Sequence, residues 1–123
     1  MPTGLAIALA GGLGALGRWG LDALLERHGG AFPLGILVVN VSGSLAIGIA
    51  AGAFETRLED EVWLRAGVMV GLLGGYTTFS TLSLDTYRLL QEGLVRQAIA
   101  NSLGSVLLGL AAVWAGLVVG ERL

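Results

Sequence analysis

The residues best equipped for chemistry in this chain sit together in "GLLGGYTTFSTLSLD", residues 71–85. Two adjacent glycines, Gly74 and Gly75, are followed by Thr77, Thr78, Ser80, Thr81 and Ser83. No charged residue falls between Arg65 and Asp85. Hydroxyls donate and accept hydrogen bonds without carrying charge. Adjacent glycines followed by β-branched threonines make a poor helix centre. A helix broken there frees backbone carbonyls, which coordinate cations, while the start of the following half-helix favours anions. A Ser/Thr cluster can in turn hydrogen-bond the exposed carbonyls. The chemistry predicted from this stretch is ion handling.

Other uncharged polar residues lie in apolar surroundings. Asn40 sits in "LVVNVSGSLAIG", with Ser42 and Ser44 nearby. A buried amide in lipid must find partners, so Asn40 reads either as a helix–helix hydrogen bond or as a donor to a bound ion. In "ANSLGSVLLG", Asn101, Ser105 and Gly109 recur at every fourth position and share one helix face. Arg18 and Asp22 are also four apart and are predicted to pair. No Asp, Glu or His occupies the middle of an apolar segment. Proton-coupled transporters usually need such a group as a relay. Uncharged donors suit a pore that strips water from a small anion and still releases it. The positive rim of an aromatic ring can also serve, and Phe79 is the only Phe at mid-segment.

The elements that position these residues follow from composition. The 123 residues are 54% apolar and 13% charged, and mean hydropathy is +0.80. A soluble domain would carry about 25% charged residues. A span needs about 20 apolar residues as a helix. Four blocks reach that length: residues 3–25, 32–54, 64–88 and 97–120. The runs are continuous rather than alternating, which predicts helices and not barrel strands. The expected fold is an all-α membrane protein of four transmembrane helices, one domain over residues 1–123, with the third helix broken at mid-membrane. The N-terminal run has no basic leader and is not expected to be a signal peptide. There is no cysteine, and the net charge of −2 argues against a nucleic-acid partner. "GGLGALG" lacks a following GK[ST], so nucleotide-driven work is not expected.

Four spans place both termini and the loop between spans two and three on one side of the lipid bilayer. That side holds Arg57, Arg65 and Arg122; the other holds Arg27, Arg88, Arg96 and, at a span end, Arg18. Cationic excess normally sets orientation, and here it is balanced. Insertion in both orientations, giving an antiparallel dual-topology homodimer, is the reading favoured. Such a partner brings a second break to the same depth. The 21 glycines include small-xxx-small sets such as Gly67–Gly71–Gly75 and Ser44–Gly48–Gly52, which let helices approach closely in lipid.

"GGYTTFSTLSLD" resembles the signature of the Fluc fluoride channels, also called CrcB proteins, written GG-x-TTFSTFS-x-E. "GALGRW" (residues 14–19), "PLGILVVNVSGSLAIG" and "SVLLGLAAVWAG" resemble that family's first, second and fourth spans. The resemblance implies passive export of fluoride through two pores of a dual-topology homodimer in the cell inner membrane. It implies a central structural sodium ion held by the backbone carbonyls of Gly74 and Thr77. Asn40 and Phe79 then line a pore, with Ser80, Thr81 and Ser105 in its polar track. Arg18 matches the first-span arginine, and Asp85 the acidic residue after the signature. The chain departs from the pattern at Leu82, where the family has a second Phe. Leu82 shares a helix face with Phe79 and lines or flanks the pore without offering a ring edge. Two alternatives stand beside this reading. A small multidrug-resistance-type dimeric antiporter needs a mid-membrane carboxylate, and Asp22 lies too near a span end. The other is a purely structural assembly subunit.

Overall fold

The structure, a computed structural model, describes residues 1–123. The chain is helical from end to end: α1 (Thr3–Leu25), α2 (Leu34–Thr56), α3 (Val62–Ala66), α4 (Leu73–Tyr76), α5 (Phe79–Gln91) and α6 (Val95–Arg122). A 3₁₀ turn over Glu26–His28 follows α1, and a π-helical stretch, Gly67–Leu72, joins α3 to α4. Four helical stretches are long and apolar enough to cross a membrane: Thr3–His28, Leu34–Thr56, Val62–Gln91 and Val95–Arg122.

Local chemistry sets the ends. The second apolar block begins at residue 32, yet α2 starts only after Pro33, whose ring fixes φ and removes a donor that a helix start does not need. At the other end α2 runs on to Thr56, whose hydroxyl donates back to the Gly52 carbonyl at 2.8 Å. α5 ends in a Schellman motif: the Leu94 amide donates to Leu89 O at 2.9 Å and the Gly93 amide to Leu90 O at 3.1 Å. Gly93 supplies the left-handed residue, with φ +77°. α6 therefore folds back directly against α5.

Within the third stretch, Thr77 (φ −83°, ψ 157°) and Thr78 (φ −153°, ψ 115°) are extended. Gly74 and Gly75 stay helical in α4, so the non-helical dipeptide falls on the threonines. Their β-branched side chains favour extended backbone. Thr78 then caps α5, accepting from the Thr81 amide at 3.2 Å.

Glycine governs the packing. α2 makes its broadest contact with α6. A Cβ on Gly48 would come within 3.0 Å of Gly116 Cα, and one on Gly52 within 2.7 Å of the Glu121 amide. α1 runs alongside Gly67–Tyr76, where a Cβ on Gly71 would lie 2.8 Å from Ile7 O and one on Gly75 2.5 Å from Gly11 O. Close approach of this kind holds helices together in lipid, where no hydrophobic force does so. Large apolar side chains instead point outward, among them Leu5, Leu9, Leu13, Leu16 and Trp19 of α1.

Candidate functional site

An extended residue between two helices has lost both of its backbone partners. At Thr78 both are replaced by one side chain. Asn40 Nδ2 donates to Thr78 O at 3.0 Å, and the Thr78 amide donates to Asn40 Oδ1 at 2.8 Å. A carboxamide offers one donor and one acceptor side by side, as a neighbouring strand would. The helix–helix hydrogen bond is thus made, and Asn40 keeps a second amide hydrogen.

This clamp redirects the carbonyls before it. In a continuous helix the Thr78 amide would serve Gly74 O, and the Thr81 amide would serve Thr77 O. Here the first goes to Asn40 and the second to Thr78 Oγ1. The carbonyls of Gly74 and Thr77 are therefore released from helical pairing. Gly75 O, between them, accepts from Arg18 Nε at 3.2 Å. Arg18 thus reaches across to the third stretch, a contact that the expected pairing with Asp22 did not anticipate. The spacing carried a signal for it. Gly14, one turn earlier, lies so close to Leu72 O and Tyr76 N that a Cβ would collide, which holds this face of α1 against the third stretch. Tyr76 adds a brace that the sequence reading missed. Ser42 Oγ donates to Val39 O at 3.1 Å, so across their 2.8 Å contact Tyr76 Oη is the donor.

Beside the dipeptide opens a groove of about 340 Å³, whose lining includes Asn40, Thr77, Thr78, Phe79, Leu82 and Ser105. Phe79 and Leu82 do face one space. Phe79 is 80% exposed, so its ring stands at the open side. Ser105 is buried and its hydroxyl has no hydrogen-bond partner. The Thr77 hydroxyl is occupied, donating to Leu73 O at 2.9 Å. The other site candidates lie outside the groove. Ser80 and Thr81 gather around Thr78 Oγ1 at 3.2 and 3.1 Å. Asp85 borders a separate hollow of about 190 Å³ with Asp22 and Glu26. No three His, Cys, Asp or Glu side chains come together as a metal site; carbonyl oxygens are the donors available to a cation beside the dipeptide.

Four helices long and apolar enough to cross a membrane, three of which line an uncharged, hydrogen-bonding groove, are the layout of a multi-pass membrane protein. Residues 5–117 match the family described as CrcB-like protein, Camphor Resistance (CrcB), and the chain belongs to that family. It is 48% identical, over 96% of its length and 98% of the relative's, to a protein of Solibacter usitatus named fluoride-specific ion channel FluC. A Brucella melitensis protein named fluoride-specific ion channel FluC 1 is 43% identical over 89% of this chain and 92% of its own. One from Opitutus terrae, also named fluoride-specific ion channel FluC, is 49% identical over 91% and 87% respectively.

Proposed function

We propose that this protein is a fluoride-selective channel of the cell inner membrane, passing fluoride down its electrochemical gradient. The observation that carries the reading is the groove itself: it is built beside a clamped non-helical dipeptide and offers hydrogen-bond donors without a carboxylate. Fluoride is small and tightly hydrated, so a path for it must replace water with close donors. The second amide hydrogen of Asn40, the Ser105 hydroxyl and the ring edge of Phe79 are such donors, with Thr81 just beyond. Each is uncharged, so the ion is held weakly enough to leave. A multidrug antiporter loses ground because the carboxylates of Asp22 and Asp85 lie away from the groove.

The working unit in this reading is an antiparallel, dual-topology homodimer with two pores. The groove is open along Phe79, and a second chain would close it. Gly74 supports the same reading: a Cβ there would meet nothing nearer than Met69 O at 3.7 Å, so nothing within one chain demands glycine. The break in the third helix then lies at mid-membrane in both chains. The released carbonyls of Gly74 and Thr77, two from each chain, fit a sodium ion, which prefers hard oxygen ligands. When bound, the ion supplies a fixed positive charge between the two copies.

The deciding experiment is efflux from liposomes loaded with fluoride or chloride and containing the purified protein. Fluoride should leave far faster than from protein-free vesicles, while chloride stays. Equal rates for the two halides would remove selectivity from the reading, and no fluoride efflux would end it.

A further inference from the structure

Tyr76 is the last residue of α4, directly before the extended dipeptide, and its ring lies between α1 and α2. On α1, a Cβ on Gly17 would be 3.8 Å from Tyr76 Cδ1. On α2, a Cβ on Gly43 would be 3.2 Å from Cδ2 and 3.4 Å from Cε2, and would overlap Thr77 Cγ2. Glycine at 43 therefore keeps a slot open for the ring and for the side chain that follows it. The slot aims the phenol at Ser42, the neighbour of Gly43, with 2.8 Å between the two hydroxyls. Ser42 Oγ gives its hydrogen to Val39 O, so Tyr76 Oη is the donor to Ser42. The Val39 carbonyl in turn belongs to the peptide unit that leads into Asn40.

Both flanks of the break are thus tied to one short segment of α2, residues 39–43. Asn40 grips Thr78, the N-cap of α5. Tyr76, at the end of α4, reaches Ser42. Only Thr77 lies between the two ties. Half-helices joined by extended residues can pivot about them, because the helical bonds that would hold them in line are missing. One tie to α2 fixes a point; two ties to the same helix fix an angle. Neither Tyr76 nor Ser42 lines the groove, whereas Asn40, Thr77, Thr78 and Phe79 do. The pair can therefore act on the ion path only through those residues.

We propose that Tyr76 is a positioning residue of the ion path: its hydrogen bond to Ser42 sets the angle between α4 and α5, and so the spacing of the groups around the groove. This rests on the reading of the groove as a fluoride path. Phe79 rides on α5 and Asn40 on α2, so a pivot at Thr77 moves one against the other. Hydrogen bonds weaken steeply with distance and misalignment. A small ion stripped of water is the ligand least able to follow such a shift.

The test measures fluoride efflux from liposomes, per folded protein, for Tyr76→Phe, Ser42→Ala and the double variant of the full chain. Tyr76→Phe leaves the ring in its slot and removes only the hydroxyl. Each single change should lower efflux at least about threefold, the scale of one lost hydrogen bond. The double variant should do no worse than the poorer single one, because both remove the same bond. A merely structural brace would lower the folded yield and leave flux per folded protein unchanged. The bond itself is read separately, by the ultraviolet resonance Raman doublet of tyrosine in a Tyr87→Phe background, where Tyr76 is the only tyrosine left. Its intensity ratio should be that of a donating phenol and should change when Ser42→Ala is added. If Tyr76→Phe does not fold, Ser42→Ala decides by efflux and by the doublet. A loss smaller than about threefold in either single variant, losses that multiply in the double variant, or a doublet unchanged by Ser42→Ala each overturns the positioning role alone. Absent fluoride efflux in the unmutated protein ends the channel reading, and this role with it.

Discussion

Where α2 lies against α6, backbone meets backbone; where α1 and α2 meet the third stretch, polar side chains are added to the glycine contacts. Gly48, Gly52, Gly116 and Gly120 bring the two backbones together in the first contact, and the helices run through it without interruption. Against the third stretch, Asn40, Ser42 and Arg18 each reach a particular group on Thr78, Tyr76 or Gly75. Dispersion between close backbones is additive and weakly directional, so it builds a frame. Hydrogen bonds in a dry setting are directional, so they can hold one irregular dipeptide in one geometry. α2 does both jobs, with Asn40 two turns before Gly48. The same rigid helix that is locked to α6 presents the clamp to Thr78.

The comparison breaks if the frame does not need its glycines, and the largest effect is expected there. A Cβ on Gly116 would overlap Leu45 O and lie 2.9 Å from Ile49 N and 3.0 Å from Gly48 Cα. These are backbone atoms, so neither helix can yield locally. Gly116→Val should therefore leave little monodisperse protein after extraction, since overpacking costs about 1–3 kcal/mol even where side chains can adjust. Gly104→Ala, where a Cβ meets nothing within 4 Å, is the control and should extract normally. Size-exclusion profiles of both variants make the check; a normal profile for Gly116→Val would show that the frame is not glycine-packed.

The clamp should fail differently, in function more than in folding. The ionised carboxylate introduced by Asn40→Asp would still accept from the Thr78 amide but could not donate to Thr78 O. It would also put negative charge beside the groove. Two like charges about 4 Å apart repel by about 4 kcal/mol at an effective dielectric of 20, so Asn40→Asp should lower fluoride efflux on the order of a hundredfold or more. Near-normal efflux from folded Asn40→Asp would separate Asn40 from the ion path and leave it only as a brace.

The four long helices were legible because apolar runs of that length have few alternatives; their ends shifted by a few residues, with α2 starting after Pro33 and the third and fourth stretches running over Val62–Gln91 and Val95–Arg122. The break was expected over Gly74–Thr78, glycines and threonines together, and the extended backbone is confined to Thr77 and Thr78. Gly75 is glycine because Gly11 lies against it, a contact between distant parts of the chain that no local propensity carries. Asn40, Phe79, Leu82 and Ser105, grouped in the sequence through the family resemblance, all border one groove. Ser80 and Thr81 read as equivalent hydroxyls, yet the turn at Thr78 draws both into its own cap. Arg18 was assigned to the nearest opposite charge in sequence, whereas Gly75 O was the nearer acceptor in space.

The smallest effects are expected at the two residues that face the groove without holding the frame or the clamp. Phe79 is mostly exposed and Leu82 half-buried, and both border the same space. If the ring edge of Phe79 helps replace water around the ion, Phe79→Ala should lower efflux by about tenfold, in line with the 0.5–1.5 kcal/mol that aromatic contacts contribute. Leu82→Phe adds a ring on the same face. Overpacking in a closed core would cost about 1–3 kcal/mol, but here the added volume enters an open groove of about 340 Å³. Efflux from Leu82→Phe should therefore stay within about threefold of the parent, a change of less than 1 kcal/mol. Initial fluoride efflux of both variants, normalised to folded protein, decides between the two residues. If Leu82→Phe abolishes efflux while Phe79→Ala leaves it intact, the ion does not pass along the ring edge, and the open side of the groove is a packing surface instead.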